Sequence, residues 1–160
     1  MEDRERRDVA YEDDVYGWSL RQAELLRAGH YDDVDMDDVA EEIESLGRSQ
    51  AASLESCYRL IAAHLSKVMF QPERFTWGWQ VTIVSERLDA QSCLKASPSL
   101  KPRRTEIFAD AYGQARKLAT AEIELPPKTF PAEPPFTLDE LSDECHVPWP
   151  ALAEPEPPQT

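Results

Sequence analysis

The side chain best placed for chemistry is His64, which falls on an apolar stripe one helical turn after Ile61 and one before Val68. An imidazole in such a place needs partners for its ring nitrogens. It is either a hydrogen-bonded core histidine or a metal ligand or general base completed by a carboxylate from another helix. The carboxylate-histidine spacing of di-metal bundles is missing, because the residue three before His64 is Ile61 and the residue four before is Leu60. Cys57 lies seven residues back, about 10.5 Å along a helix axis, too far for both to hold one metal ion. A second pattern places Asp33, Asp35, Asp37 and Glu44 at positions one, three, five and twelve of a calcium loop. Position six of such a loop needs glycine for its sharp turn, and this chain has Asp38 there, followed by Val39, Ala40 and Ile43 in helical phase. The pattern reads as a charge-rich helix start.

Nucleophilic chemistry has less to stand on. No serine sits in a GxSxG context, and the five glycines build no phosphate-cradling loop. Cys57 and Cys93 fall on or beside apolar helical faces, where cysteine behaves as a small hydrophobe, and Cys145 is merely adjacent to His146 in sequence. Three widely spaced cysteines without a CxxC pair argue for reduced thiols rather than a disulfide framework. No motif calls for a cofactor, and the chain reads as more plausibly non-enzymatic than catalytic.

Charge carries more information. The chain has 17 basic and 31 acidic residues, a net of −14, unevenly spread. Through Glu44 there are 16 acidic and 5 basic residues, a net of −11, whereas Ser45 to Leu118 holds 6 acidic and 11 basic, a net of +5. Binding to a nucleic-acid backbone is disfavoured for the chain as a whole and is not expected, whereas attraction to a basic protein is favoured. Asp37, Asp38, Glu41 and Glu42 at the start of the long helix are the candidate contacts to such a partner. Phe70, Phe75, Trp77 and Trp79, with Arg74 among them, form a second candidate surface where that helix turns into the next. Tryptophan and arginine together mark binding hot spots, and they also hold down the ends of helical bundles.

These groups are positioned by helices. Apolar residues recur at steps of three and four through Met36, Val39, Ile43, Leu46, Leu54, Cys57, Ile61, His64 and Val68, broken by Gln50. Asp35 starts this run and Pro72 stops it, giving a helix from Met36 to Phe70, roughly 50 Å at the helical rise, with Gly47 as the expected bend. Before it, Asp13 or Asp14 caps a helix that Gly29 ends. After it, a third helix runs from about Thr76 to Ala96 with Trp77, Val81, Val84, Leu88 and Leu94 as its apolar members, and a fourth follows Ser99 with Ile107, Phe108, Ala111, Tyr112 and Ala115 inward. Beyond Ile123 the prolines predict an extended crossing. Thr137 and Glu140 then have capping-box spacing, and Phe136 with Leu141 fits the hydrophobic staple, which predicts a short helix near Leu138–Glu144.

The expected fold is all-α, a mostly antiparallel bundle of four main helices with a short C-terminal helix and a proline-rich extension. One domain is expected over residues 11–147, with residues 1–10 disordered and residues 148–160, which hold five prolines, a disordered tail. No run of eighteen apolar residues exists, and Met1 to Ala10 lacks the apolar segment of a signal peptide. No membrane association is expected, and the cytoplasm is the expected location.

The words Tyr11-Glu12-Asp13-Asp14, Leu26-Arg27-Ala28-Gly29, Ala40 through Arg48 (AEEIESLGR), Gln71-Pro72-Glu73-Arg74, Ser97-Pro98-Ser99-Leu100 and Phe130-Pro131 resemble those of the bacterial domain-of-unknown-function family twenty-nine, over roughly Tyr11 to His146. The resemblance implies a small all-helical bundle. It implies no activity, and it offers no catalytic residues to carry over to this chain. Function is therefore expected to be a protein-protein interaction or regulatory role of the acidic surface; the alternative is a metal- or small-ligand-binding bundle with its site around His64.

Overall fold

The structure is a computed structural model that describes residues 10–123 and 126–146. Among them there are four main helices, one short one, and no strand: α1 (Val15–Ala28), α2 (Met36–Phe70), α3 (Trp77–Ala96), α4 (Arg104–Ile123) and α5 (Leu138–Ser142). The family of stop and start signals accounts for the boundaries. Asp14 accepts a hydrogen bond from the Gly17 N–H at 3.0 Å, and Gly29 ends α1 in the left-handed conformation at φ 75°, which only glycine adopts without strain. Asp35 Oδ1 accepts from the Asp38 N–H at 3.3 Å to cap α2. Thr76 caps α3, and α4 begins after a 3-10 turn over Pro98–Arg103 that contains Pro102. The capping box of α5 is complete, with the Thr137 N–H donating to Glu140 at 2.7 Å and the Glu140 N–H donating to Thr137 at 3.2 Å. Residues 1–9 and 147–160, which include the expected disordered end and tail, lie outside the described residues.

The chain divides into two compact units between Ser49 and Gln50. In the first, α1 and the start of α2 form a helical pair. Trp18, Leu25 and Val34 are buried, and Tyr11 packs edge-on against Trp18 with ring centroids 5.0 Å apart. Gln22, also buried, accepts the Asp35 backbone N–H at 2.9 Å and so ties α1 to the cap residue of the next helix.

In the second unit, the stripe of Leu54, Ile61, Leu65 and Val68 on α2 is fully buried. α3 returns antiparallel to it: Trp79 near its start lies against His64 and Lys67, and Cys93 near its end donates weakly to the Gln50 carbonyl. α4 turns again, with Arg104 at its start bonded to the Tyr58 hydroxyl at 2.9 Å and Glu122 at its end paired with Lys67. The segment after α4 then retraces it. Phe130 packs against Phe70, Tyr112 donates to the Pro131 carbonyl at 3.0 Å, and Phe136 sits against Phe108 and Tyr112. Phe130 and Phe136 are buried, so the proline-rich connection is anchored in the core by its two aromatics.

Two expectations about burial are corrected. The apolar positions at the start of α2 continue the stripe in sequence, yet Ile43 and Leu46 are 64% and 68% exposed, because in the first unit only α1 is available to cover them. On α3 the inward residues are Ile83, Arg87 and Ala90, with Leu94 half-buried in the same phase; of the apolar members that the sequence pattern gives the helix, Val81, Val84 and Leu88 are exposed, as is Trp77 of the candidate surface. Both sets have helical spacing, and the phase chosen is the one that gives Arg87 acceptors.

Arg87 is 2% exposed and donates through Nε to the Leu141 carbonyl at 2.8 Å, and through Nη2 to the Glu140 and His146 carbonyls at 3.0 and 2.8 Å. A cation there also complements the carbonyl end of α5. Replacing it with leucine strands three carbonyls and should cost roughly 2–4 kcal/mol. We expect Arg87→Leu to lose amide-exchange protection over residues 137–146 well before α2 and α4; unchanged protection there would contradict the anchoring role.

Candidate functional site

His64 is half-buried on α2 and faces α3, its ring centroid 6.5 Å from that of Trp79. One turn further along α2, Lys67 is 1% exposed, bonds Glu122 of α4 and lies 4.7 Å over the Trp79 ring. This is the carboxylate from another helix that a histidine-centred site requires, but it is engaged by a buried ammonium. Burial pulls the Lys67 ammonium below its ordinary value, with the Glu122 bond opposing. Burial, reinforced by the Lys67 charge, pulls His64 down to about 4, so the imidazole is neutral near pH 7. Among the described residues, Nδ1 of His64 has no hydrogen-bond partner, and no group of three or more His, Cys, Asp and Glu side chains is arranged to hold a metal ion. The cluster is a packed cation over an indole, held by desolvated charge pairing with Glu122.

All three cysteines are free thiols, Cys57 buried, Cys93 half-buried and Cys145 exposed. Burial, with Glu86 nearby, pushes the Cys57 thiol up to about 12, far from the thiolate that nucleophilic chemistry needs. A cavity of about 220 Å³ among α2, α3, the start of α4 and α5 is lined by Tyr58, Arg87 and Arg104, but both arginines spend donors on the C-terminal segment, Arg104 through the Ser142 hydroxyl at 2.8 Å.

The aromatic turn is divided in role. Trp79 is half-buried under Lys67 and Phe75. Arg74 donates to the Ile123 carbonyl at 3.2 Å and thereby ties the turn to the end of α4. Trp77 stands exposed with only its edge near Phe75.

The acidic start of α2 is brought together with an apolar groove. Val15, Trp18 and Leu26 of α1 and Val39, Ile43 and Leu46 of α2 line a depression of about 440 Å³ that also takes in Glu42. Residues 10–49 contain twelve acidic and three basic side chains. Crowding is felt: a hydrogen bond to Asp35 and burial raise the Asp38 carboxyl above its ordinary value, and the Tyr11 hydroxyl, bonded to Glu42, is likewise raised. Glu41 is paired with Arg48 at 3.3 Å, and Asp37 is exposed. The calcium-loop positions are not a loop, since Asp35 is the cap and Asp37 is already helical. Gln22 and Arg87 escaped the sequence reading; the one available signal was that each shares the helical phase of buried apolar neighbours.

The depressed His64 value has a sign. A histidine held neutral by the fold contributes stability in full above its unfolded value of 6.5 and loses it as pH falls toward about 4. At ~1.4 kcal/mol per unit this amounts to no more than about 3.5 kcal/mol, and less where solvent screens the half-buried ring. Urea unfolding of wild type and His64→Leu at pH 7 and pH 4 should show a smaller pH-dependent loss for the variant; equal losses would contradict a buried neutral imidazole.

Among the described residues no helix is long and apolar enough to cross a membrane. No curated protein and no solved structure shows a significant match to the chain. The family described as "Domain of unknown function DUF29" matches residues 10–147. Spanning both helical units and the anchored C-terminal segment, that match makes the chain a member of the DUF29 family.

Proposed function

We propose that this protein is a non-enzymatic interaction module whose α1–α2 groove receives a basic amphipathic helix from a protein partner. The observation that carries the reading is the exposure of Ile43 and Leu46, which line an apolar groove, within a segment that has four acidic residues for every basic one. Apolar side chains left uncovered in a row are a feature of binding surfaces. Two helices side by side present the trough into which a third packs, and an entering helix would place residues at i, i+3, i+4 and i+7 on Val15, Leu26, Val39 and Ile43. Lysine or arginine on its flanks would meet Glu42 within the groove and Asp37 and Glu41 on the same turns of α2. Asp38 gains in a second way, because a neighbouring cation relieves its repulsion with Asp35.

The probe is a labelled helical peptide with leucine at i, i+3, i+4 and i+7 and lysine elsewhere, titrated with the full chain by fluorescence anisotropy. Binding should be saturable, should weaken with salt, and should vanish for a peptide with glutamate in place of lysine. Leu46→Asp should weaken it at least tenfold, about 1.4 kcal/mol, and Asp37→Asn with Glu41→Gln should flatten its salt dependence. Equal binding by the Leu46→Asp protein would overturn the reading.

A further inference from the structure

The cavity among α2, α3, the start of α4 and α5 brings two guanidinium groups to one small space without a counter-ion. Tyr58, Arg87, Arg104 and Ser142 give it polar groups, Ile61, Ala90 and Leu94 give it an apolar wall, and no carboxylate is among its described lining residues. Arg87 is 2% exposed and makes no ion pair with any described residue, and neither does half-buried Arg104. A buried charge is ordinarily neutralised by a partner or by something bound. Asp143 and Glu144 favour the Arg87 charge without bonding it, but burial outweighs them and holds the guanidinium below its ordinary value, and Glu144 is itself bonded by Gln91 at 2.8 Å.

Hydrogen bonding leaves the same account open. A guanidinium has five N–H donors, and Arg87 spends Nε and Nη2 on backbone carbonyls while its Nη1 is buried with no partner. Arg104 spends Nε on the Tyr58 hydroxyl and Nη2 on Ser142, which leaves its Nη1 for another acceptor. The Tyr58 hydroxyl, buried and accepting from Arg104, donates to no described residue and has its own proton to give. We propose that the cavity binds a small monocarboxylate with a short alkyl tail, the carboxylate accepting from Nη1 of Arg87, Nη1 of Arg104 and the Tyr58 hydroxyl, and the tail lying against Ile61, Ala90 and Leu94. Charge sets the head group, because an anion is what two unpaired guanidinium groups lack. The apolar wall selects an alkyl carboxylate over a phosphate, which has no apolar body to place there. Size sets the length, since about 220 Å³ is below the roughly 300–1,000 Å³ of sites for drug-sized ligands. All of these residues belong to the second unit, and the inference does not rest on the α1–α2 groove.

Butyrate titrated into the isotope-labelled full chain tests the site, read by the side-chain Nε–H resonances of Arg87 and Arg104 and the backbone amides of residues 87–94. These should shift saturably with butyrate and not with butyramide, which has the same shape without the charge. Acetate should bind more than tenfold more weakly, since each buried methylene is worth about a factor of four, and inorganic phosphate should bind no better than acetate. Arg104→Gln should weaken butyrate binding at least tenfold. Ala90→Leu, which fills the cavity and leaves both cations in place, should abolish it. The comparison of butyrate, butyramide and acetate needs only the native chain and decides the matter should a variant not fold. No saturable shift with butyrate, equal binding of butyramide, phosphate bound more tightly than butyrate, or undiminished binding by a folded variant would each overturn the proposal.

Discussion

The structure of residues 50–146 depends on one constraint: the stripe of Leu54, Ile61, Leu65 and Val68 on α2 has to be shielded from water along its whole length. α3 and α4 cover it in alternating direction, and the segment after α4 fills what remains with Phe130, Phe136 and Leu141. Polar ties then set the register. Arg87 reaches three carbonyls of the C-terminal segment, Arg104 joins Tyr58 to Ser142, and Lys67 joins α2 to α4. Each of these cations is buried or half-buried, so removing its partner would leave a charge without compensation. They specify one arrangement among the many that an apolar stripe alone would accept.

The same helix behaves differently before residue 50. Its apolar residues keep their spacing, but in the first unit α1 is the one helix that accompanies them, and Ile43 and Leu46 stay exposed. The acidic side chains gathered at this end are there at an electrostatic cost, seen in the raised Asp38 carboxyl.

Helix positions were legible in the sequence because capping residues and prolines act locally: Asp14, Asp35, Thr76, Pro72, Pro98 and the Thr137–Glu140 box all stand at boundaries in the structure. What periodicity could not settle was which of two apolar phases of α3 turns inward. That choice is made by tertiary contacts, chiefly the carbonyl acceptors that Arg87 finds more than fifty residues away. The site around His64 shows the same limit. Its place on the stripe was plain, but that Lys67 would occupy Glu122 and leave the imidazole beside a cation depends on α4 running parallel to α2. Exposure of the first half of the α2 stripe was equally hidden, since spacing reports where an apolar face is and says nothing of whether another helix arrives to cover it.

On this account α2 is a core helix over residues 54–68 and a largely uncovered apolar face over residues 36–46. Denaturant unfolding of Ile61→Ala beside Leu46→Ala tests it most directly. Ile61 is fully buried and Leu46 mostly exposed, so the first substitution should cost about 2–5 kcal/mol and the second no more than about 0.5 kcal/mol. A comparable loss from Leu46→Ala would mean that this end of the helix is also core, and would contradict the account.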